Sequence, residues 1–388
     1  MAGRSGIRPI TAFDTSSCRS HSAVTIEGFD PAAYIPPLKL RRVDAVGRIA
    51  LVCMRLLLED AGLAIGREGR DDVGIALGTL TAGMDSTVEY LKGLVEQGPA
   101  GVPALLFSNT VSNAPASLCA IEHGLRGPNV TFNQREASSL AAIAYAASAV
   151  RDGRAAAMVS GGADRLERTF FTVQERFGPF ARAADGAEVC RPFDRRRNGF
   201  ILGEAGALLL LEAADAARAR GARAYGEILG IGLTASRAAL NDWPADAAGA
   251  ARAMRLALEE AGLEASDVSA VFAAANGARR LDALEAEAIR TTLPPDVPVV
   301  ALKGAIGESG SAGAVALAVG LLAIAGRTVP PTVGYEEPDP ACPVHVSAAP
   351  LPVAGRVFLV NAIASGGTIV SVAARAADEA APQAGAPR

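Results

Sequence analysis

Histidine is nearly absent from this chain: three residues, His21, His123 and His345, in 388. That leaves little material for histidine-based metal centres or for proton transfer by several imidazoles. The five cysteines (Cys18, Cys53, Cys119, Cys190 and Cys342) are scattered, with no CxxC pair. They read as small buried residues of a reducing compartment, which excludes a disulfide framework or a cysteine-held metal. The formal charge of -4, with both signs interspersed, excludes a nucleic-acid footprint. No run of 18 apolar residues escapes a charge or glycine, so no membrane span is expected. Nor does the start, Met-Ala-Gly-Arg-Ser-Gly, have the apolar core of a signal peptide. A cytoplasmic protein, with no membrane or nucleic-acid partner, no metal and no cofactor, is the expectation.

What is abundant is small and apolar. Half the residues are hydrophobic and 41 are glycine, enough for two fused halves with their own cores. Short apolar runs alternate with helical patterns along the chain. Strands are expected at Val73–Leu77, Val130–Phe132, Ala155–Ser160, Ala207–Glu212, Ala224–Leu233, Ala270–Ala274, Val297–Ala301 and Val357–Asn361. Ala207–Glu212, with four consecutive leucines, reads as a strand buried on both faces. Helices are expected near 44–61, 85–96, 137–153, 247–261, 282–291 and 311–325, and Gly62 and Gly153 mark two stops. This rhythm indicates α/β layering in two similar halves, 1–210 and 211–376, followed by a disordered Ala/Pro/Gly tail, 377–388.

One stretch organises the rest. Val130-Thr-Phe132 suits a buried strand after Gly127-Pro128, and from Ala137 onward alanine and leucine favour helix. A strand that breaks into a helix leaves the residue at the break facing the helix's positive end. Acyl-transferring enzymes often place a nucleophile there. Here it is Glu136, a poor acyl acceptor, and an acid that merely favours a helix start is the plainer reading.

Several further runs lie in a recognisable order: Gly124-Leu-Arg-Gly-Pro128, Ser160-Gly-Gly-Ala-Asp164, Arg191-Pro-Phe-Asp194, Gly199-Phe-Ile-Leu-Gly203, Asn276-Gly277 with Asp282-Ala-Leu-Glu285, Lys303-Gly-Ala-Ile-Gly307, Val329-Pro-Pro-Thr332 and Gly366-Gly-Thr368. In these runs, which span roughly residues 6 to 375, the chain resembles the β-ketoacyl-acyl-carrier-protein synthases. The resemblance implies a thiolase-like fold, two pseudo-duplicated halves in a layered αβαβα sandwich. The family's first strand and helix have no counterpart, since the match begins near Gly6.

The resemblance also locates a degenerate triad. The family's cysteine falls at Glu136 and its two histidines at Asn276 and Glu308; its lysine is kept as Lys303, and its bulky gate residue is Ser365, before Gly366, Gly367 and Thr368. Decarboxylative condensation needs a thiolate to carry the acyl chain and imidazole donors for developing negative charge. A carboxylate at position 308 opposes that charge, and an asparagine amide cannot shuttle a proton. The chain is therefore expected not to condense.

Two readings of the carboxylates follow. Lys303, Arg279 or Arg280 pairs with Glu136 and Glu308 in a charge cluster filling the old cavity, which is favoured because buried charges need partners. Alternatively, Glu136 and Glu308 do acid/base work on a carrier-bound substrate.

Silent members of the family are chain-length factors paired with an active ketosynthase, acting on chains held by an acyl carrier protein. Glutamine is usual at the elbow of the aromatic-polyketide members, so Glu136 is a departure, pointing by analogy to polyene or other reduced chains. The resemblance implies pairing across a twofold axis through Asn129, Val130, Thr131, Phe132 and Asn133. It also implies a tunnel bordered by Ala104, Leu105, Leu106, Phe107, Thr110 and Ser112, with Phe107 the gate candidate by size and Leu105 equally well plain dimer core. A purely scaffolding role is the third possibility.

Overall fold

The computed structural model describes residues 2–63, 65–102, 104–183 and 186–378. The first sheet is built from β1 (Val73–Gly78), β2 (Asn129–Phe132), β3 (Ala157–Asp164) and β4 (Ala205–Glu212), in the order β2-β1-β3-β4. β1 runs parallel to β2 and β3, and β4 is antiparallel to β3. The second contains β5 (Gly226–Ala235), β6 (Val268–Phe272), β7 (Pro298–Val300), β8 (His345–Val346), β9 (Val357–Ile363) and β10 (Thr368–Ala376), in the order β8-β7-β6-β9-β10-β5. β6 lies parallel to β7 and β9, and β10 is antiparallel to β9. The two halves thus repeat one pattern, β1, β2, β3 and β4 answering to β6, β7, β9 and β10. This is the expected thiolase-like layering.

The helices are α1 (Ala45–Ala61), α2 (Met84–Gln97), α3 (Ala114–His123), α4 (Ser138–Arg151), α5 (Arg168–Phe177), α6 (Ala248–Ala261), α7 (Arg279–Thr292) and α8 (Ala312–Ala325), with shorter turns between. α1 starts where Asp44 accepts a hydrogen bond from the Gly47 N–H, and it stops at Gly62 in the left-handed region. α4 and α8, mostly alanine, glycine and leucine, are buried between the sheets. Small side chains allow that closeness: a Cβ on Gly78 would lie 2.3 Å from the backbone where α4 begins. No helix among the described residues is long and apolar enough to cross a membrane.

Three differences from the sequence reading matter. α5 and the long strand β10 were not expected; β10 is nearly fully buried, but its alanine and serine content hides it from propensity. The segment of the expected tunnel residues, for which no helix was expected, contains a helical turn, Ala104–Phe107. β4 does have a helix on each face, Leu208 and Leu210 packing toward α1 and Leu209 and Leu211 toward α8, but beyond Ala205 it is only half-buried, because among the described residues only β3 pairs with it and its other edge is open. The tail expected at 377–388 lies mostly outside the described residues, which end at 378.

Candidate functional site

β2 ends at Phe132, and a tight turn, Arg135–Ala137, leads into α4. Arg135 occupies the left-handed region at φ 53°, an uncommon conformation for a non-glycine residue. The strand therefore does break into a helix, and Glu136 sits buried at the break. Two serines fix the turn: Ser138 Oγ donates to the Arg135 carbonyl at 2.6 Å, and Ser139 Oγ accepts from the Ala314 N–H of α8 at 3.1 Å.

Glu136 is not free. Its carboxylate accepts the Ser365 N–H at 2.9 Å and the Ser365 hydroxyl at 3.0 Å. Arg135 Nε donates to that hydroxyl at 2.5 Å and lies 3.8 Å from Glu136. The elbow acid thus grips the loop that begins at Ser365. Gly366 and Gly367 take the positive φ values, 91° and 97°, that turn the chain back into β10 at Thr368. The Gly366 N–H is held by the Asp242 carbonyl at 3.0 Å.

The second cluster is deeper. Glu308 Oε2 accepts Lys303 Nζ at 2.8 Å and Asn276 Nδ2 at 2.7 Å, while Oε1 accepts the Ser309 N–H at 3.1 Å. Lys303 also donates to the Ala274 carbonyl at 2.8 Å. Burial, opposed by Lys303 and assisted by the charge of Glu136, pushes the Glu308 carboxyl up to about 7. Asn276 is braced from behind: Asp282 accepts the N–H groups of Asn276, Gly277 and Phe193, and burial raises it to about 6. Glu285 likewise accepts the Ala274 and Ala275 N–H groups and is raised to about 7 by burial. Space is scarce, since the cavity that touches Glu308 and Ser309 measures about 10 Å³.

The expected residues Glu136, Asn276, Lys303, Glu308 and Ser365 are all buried here. Arg279 and Arg280 correct the expectation. Both point outward, and Arg280 pairs with Asp242 at the surface. Opening α7, they leave the loop on its solvent side, so the charge partners are Arg135 and Lys303 instead. Arg135 was missed, although its position beside Glu136 is the signal that finds it. Also missed was Cys190, whose thiol donates to the Asn276 carbonyl at 3.0 Å. Full burial drives that thiol far above the usual range, so it is no substitute nucleophile. His21 and His345 are exposed and His123 half-buried; none lies in these clusters.

The expected tunnel segment lies elsewhere on the surface. Phe107 is 61% exposed, with its ring 6.0 Å from that of Tyr90. Leu106, Thr110 and Ser112 are half-buried, Ala104 is exposed, and the Leu105 side chain falls outside the described set. Val88, Leu91 and Val95 of α2, with Val111, extend this exposed apolar surface. Among the described residues β2 pairs only with β1, so one edge of Asn129–Phe132 is open; Asn133, just beyond it, is exposed.

Comparison with known proteins fits this geometry. The N-terminal domain of beta-ketoacyl synthase matches residues 1–216 and the C-terminal domain matches 225–336. The tetracenomycin polyketide synthase ketoacyl synthase alpha subunit of Streptomyces glaucescens is 34% identical over 88% of this chain and 83% of its own length. A 3-oxoacyl-[acyl-carrier-protein] synthase 2 of Synechocystis is 31% identical over 96% and 91%. Among solved structures, the ishigamide ketosynthase/chain length factor superposes with a TM-score of 0.87 at 30% identity, covering 97% of this chain and 93% of that one. With both halves matched and the fold shared, this chain belongs to the β-ketoacyl synthase family.

Proposed function

We propose that this chain is a non-condensing chain-length factor, the silent partner of an active ketosynthase on an acyl carrier protein. The carrying observation is the closed hydrogen-bond network at the elbow. Where the reaction needs a thiolate and two imidazoles, Glu136 is bound to Ser365, and Glu308 is bound to Lys303 and Asn276. A saturated carboxylate neither carries an acyl group nor stabilises an enolate.

The shape of the rest supports a partner. The open edge of β2 can add a strand from a second subunit, and the apolar surface around Phe107 lies exposed. In this reading Phe107 enters the partner's acyl tunnel and limits chain growth by volume. Co-expression with an intact ketosynthase and a carrier protein tests it. The pair is expected to co-purify, and Phe107→Ala should lengthen the product; a chain indifferent to any ketosynthase, with product length unmoved by Phe107→Ala, refutes the role.

One observation favours a second reading. Glu308 near neutrality suits a general acid or base. Glu136→Gln and Glu308→Gln should then each abolish turnover of a carrier-bound substrate, and unchanged output from the double variant disposes of that idea.

A further inference from the structure

The deeper cluster brings three reactive groups onto one atom. Lys303 Nζ and Asn276 Nδ2 both donate to Glu308 Oε2, at 2.8 and 2.7 Å. A primary amine, a carboxamide and a carboxyl group are thus immediate neighbours. Asn276 is wholly buried, and Lys303 and Glu308 are 6% and 2% exposed. Ala274, Ala275 and Ala278 beside them belong to one hydrophobic core with Phe200 and Leu202.

Each group is held in place. Asn276 Oδ1 accepts the Ala278 N–H at 3.0 Å, which sets the amide's orientation and turns Nδ2 toward Glu308. The Asn276 N–H donates to Asp282 at 3.0 Å, and its main-chain carbonyl accepts the Cys190 thiol at 3.0 Å. The Glu308 N–H donates to the Ile201 carbonyl at 2.7 Å, while its carbonyl accepts the Gly203 N–H at 2.9 Å. Lys303 Nζ is anchored further by the Ala274 carbonyl at 2.8 Å. Groups fixed side by side in a dry interior react far faster than the same groups in solution.

We propose that Lys303 and Asn276 form a self-modification site, joined by an isopeptide bond whose formation Glu308 catalyses. This holds whether or not the chain pairs with a ketosynthase. The Lys303 ammonium passes a proton to the Glu308 carboxylate, and the free amine attacks Asn276 Cγ. The Ala278 N–H steadies the negative charge that develops on Oδ1. As the Cγ–Nδ2 bond breaks, Glu308 gives its proton to the departing nitrogen and takes up the one that the new amide nitrogen sheds. One C–N bond forms, one breaks, ammonia leaves, and Glu308 ends as the neutral acid. Burial pushes the Glu308 carboxyl up to about 7, which suits a group that takes and returns protons near neutrality. The unlinked chain keeps a buried ion pair; the linked chain has an uncharged amide there, so two desolvated charges disappear. The cavity of about 10 Å³ touching Glu308 has the room of one water, and so of one departing ammonia.

Intact mass spectrometry of the full chain, after prolonged incubation at neutral pH, tests the proposal. A loss of about 17 Da, one ammonia, is expected. Asn276 precedes Gly277, and a succinimide at that pair would lose the same mass, so the linked residues are identified by digestion. Trypsin should release residues 256–279 and 291–327 as one joined peptide, uncut at Lys303. Lys303→Arg keeps a positive charge beside Glu308 but offers no nucleophilic amine, and should retain the full mass. Glu308→Gln should retain it too. A wild-type chain at full mass, a loss that survives Lys303→Arg, or a loss with no joined peptide overturns the proposal.

Discussion

Lys303 and Glu308 form a buried ion pair, and such pairs are fragile to the loss of one member. Lys303→Met strands a carboxylate in the interior and should cost about 3–5 kcal/mol of stability, measured by chemical denaturation. Lys303→Met with Glu308→Leu should recover most of that, because no charge remains to be desolvated. Glu308 also makes stability depend on pH. Its folded value, about 7, lies above the ordinary 4.5, so the unfolded chain releases its proton first as pH rises. The contribution is full below the unfolded value and is lost as pH climbs from about 4.5 through 7. Asp282 and Glu285, also raised by burial, add to the same slope. Stability should therefore fall between about pH 4 and 7, and Glu308→Gln should flatten part of that fall. In the proposed role, restoring the nucleophile alone should not restore chemistry: Glu136→Cys should form no carbon–carbon bond, because on that reading Asn276 and Glu308 still stand where imidazoles are required.

At the scale of elements, the elbow depends on how closely β1 approaches α4. Gly78 has its α-carbon against Ser138 and Ser139, so Gly78→Ala must push the helix start away. About 1–3 kcal/mol of destabilisation is expected from such overpacking, read as a shift in the denaturation midpoint. Most of this architecture was legible in advance. The elbow strand, the alanine-rich helix after it and the alternation in both halves follow from propensity and glycine placement. What was not legible depends on neighbours. Four consecutive leucines in β4 correctly signal a strand packed on both faces, but how deeply it is buried also depends on whether another strand covers its edge, and propensity is silent on that. β10 is the converse, a buried strand disguised by alanine and serine. Arg279 and Arg280 adjoin Asn276 in sequence, but the loop turns into α7 and carries them outward, leaving Arg135 and Lys303 to meet the carboxylates.

At the scale of the whole molecule, open surfaces say more than the sealed site. β2 offers a strand edge beside exposed Phe107, Val88, Leu91 and Val95. If the β2 edge joins a ketosynthase, Thr131→Pro should remove a ladder donor and weaken the pairing while the isolated chain keeps its fold. Pull-down and circular dichroism on the same variant separate the two effects. The most direct test of the central claim is an assay of the purified chain alone, supplied with acyl- and malonyl-loaded carrier protein. No condensed product is expected alone, and product should appear once an active ketosynthase is added. Condensation by the single component would contradict the account.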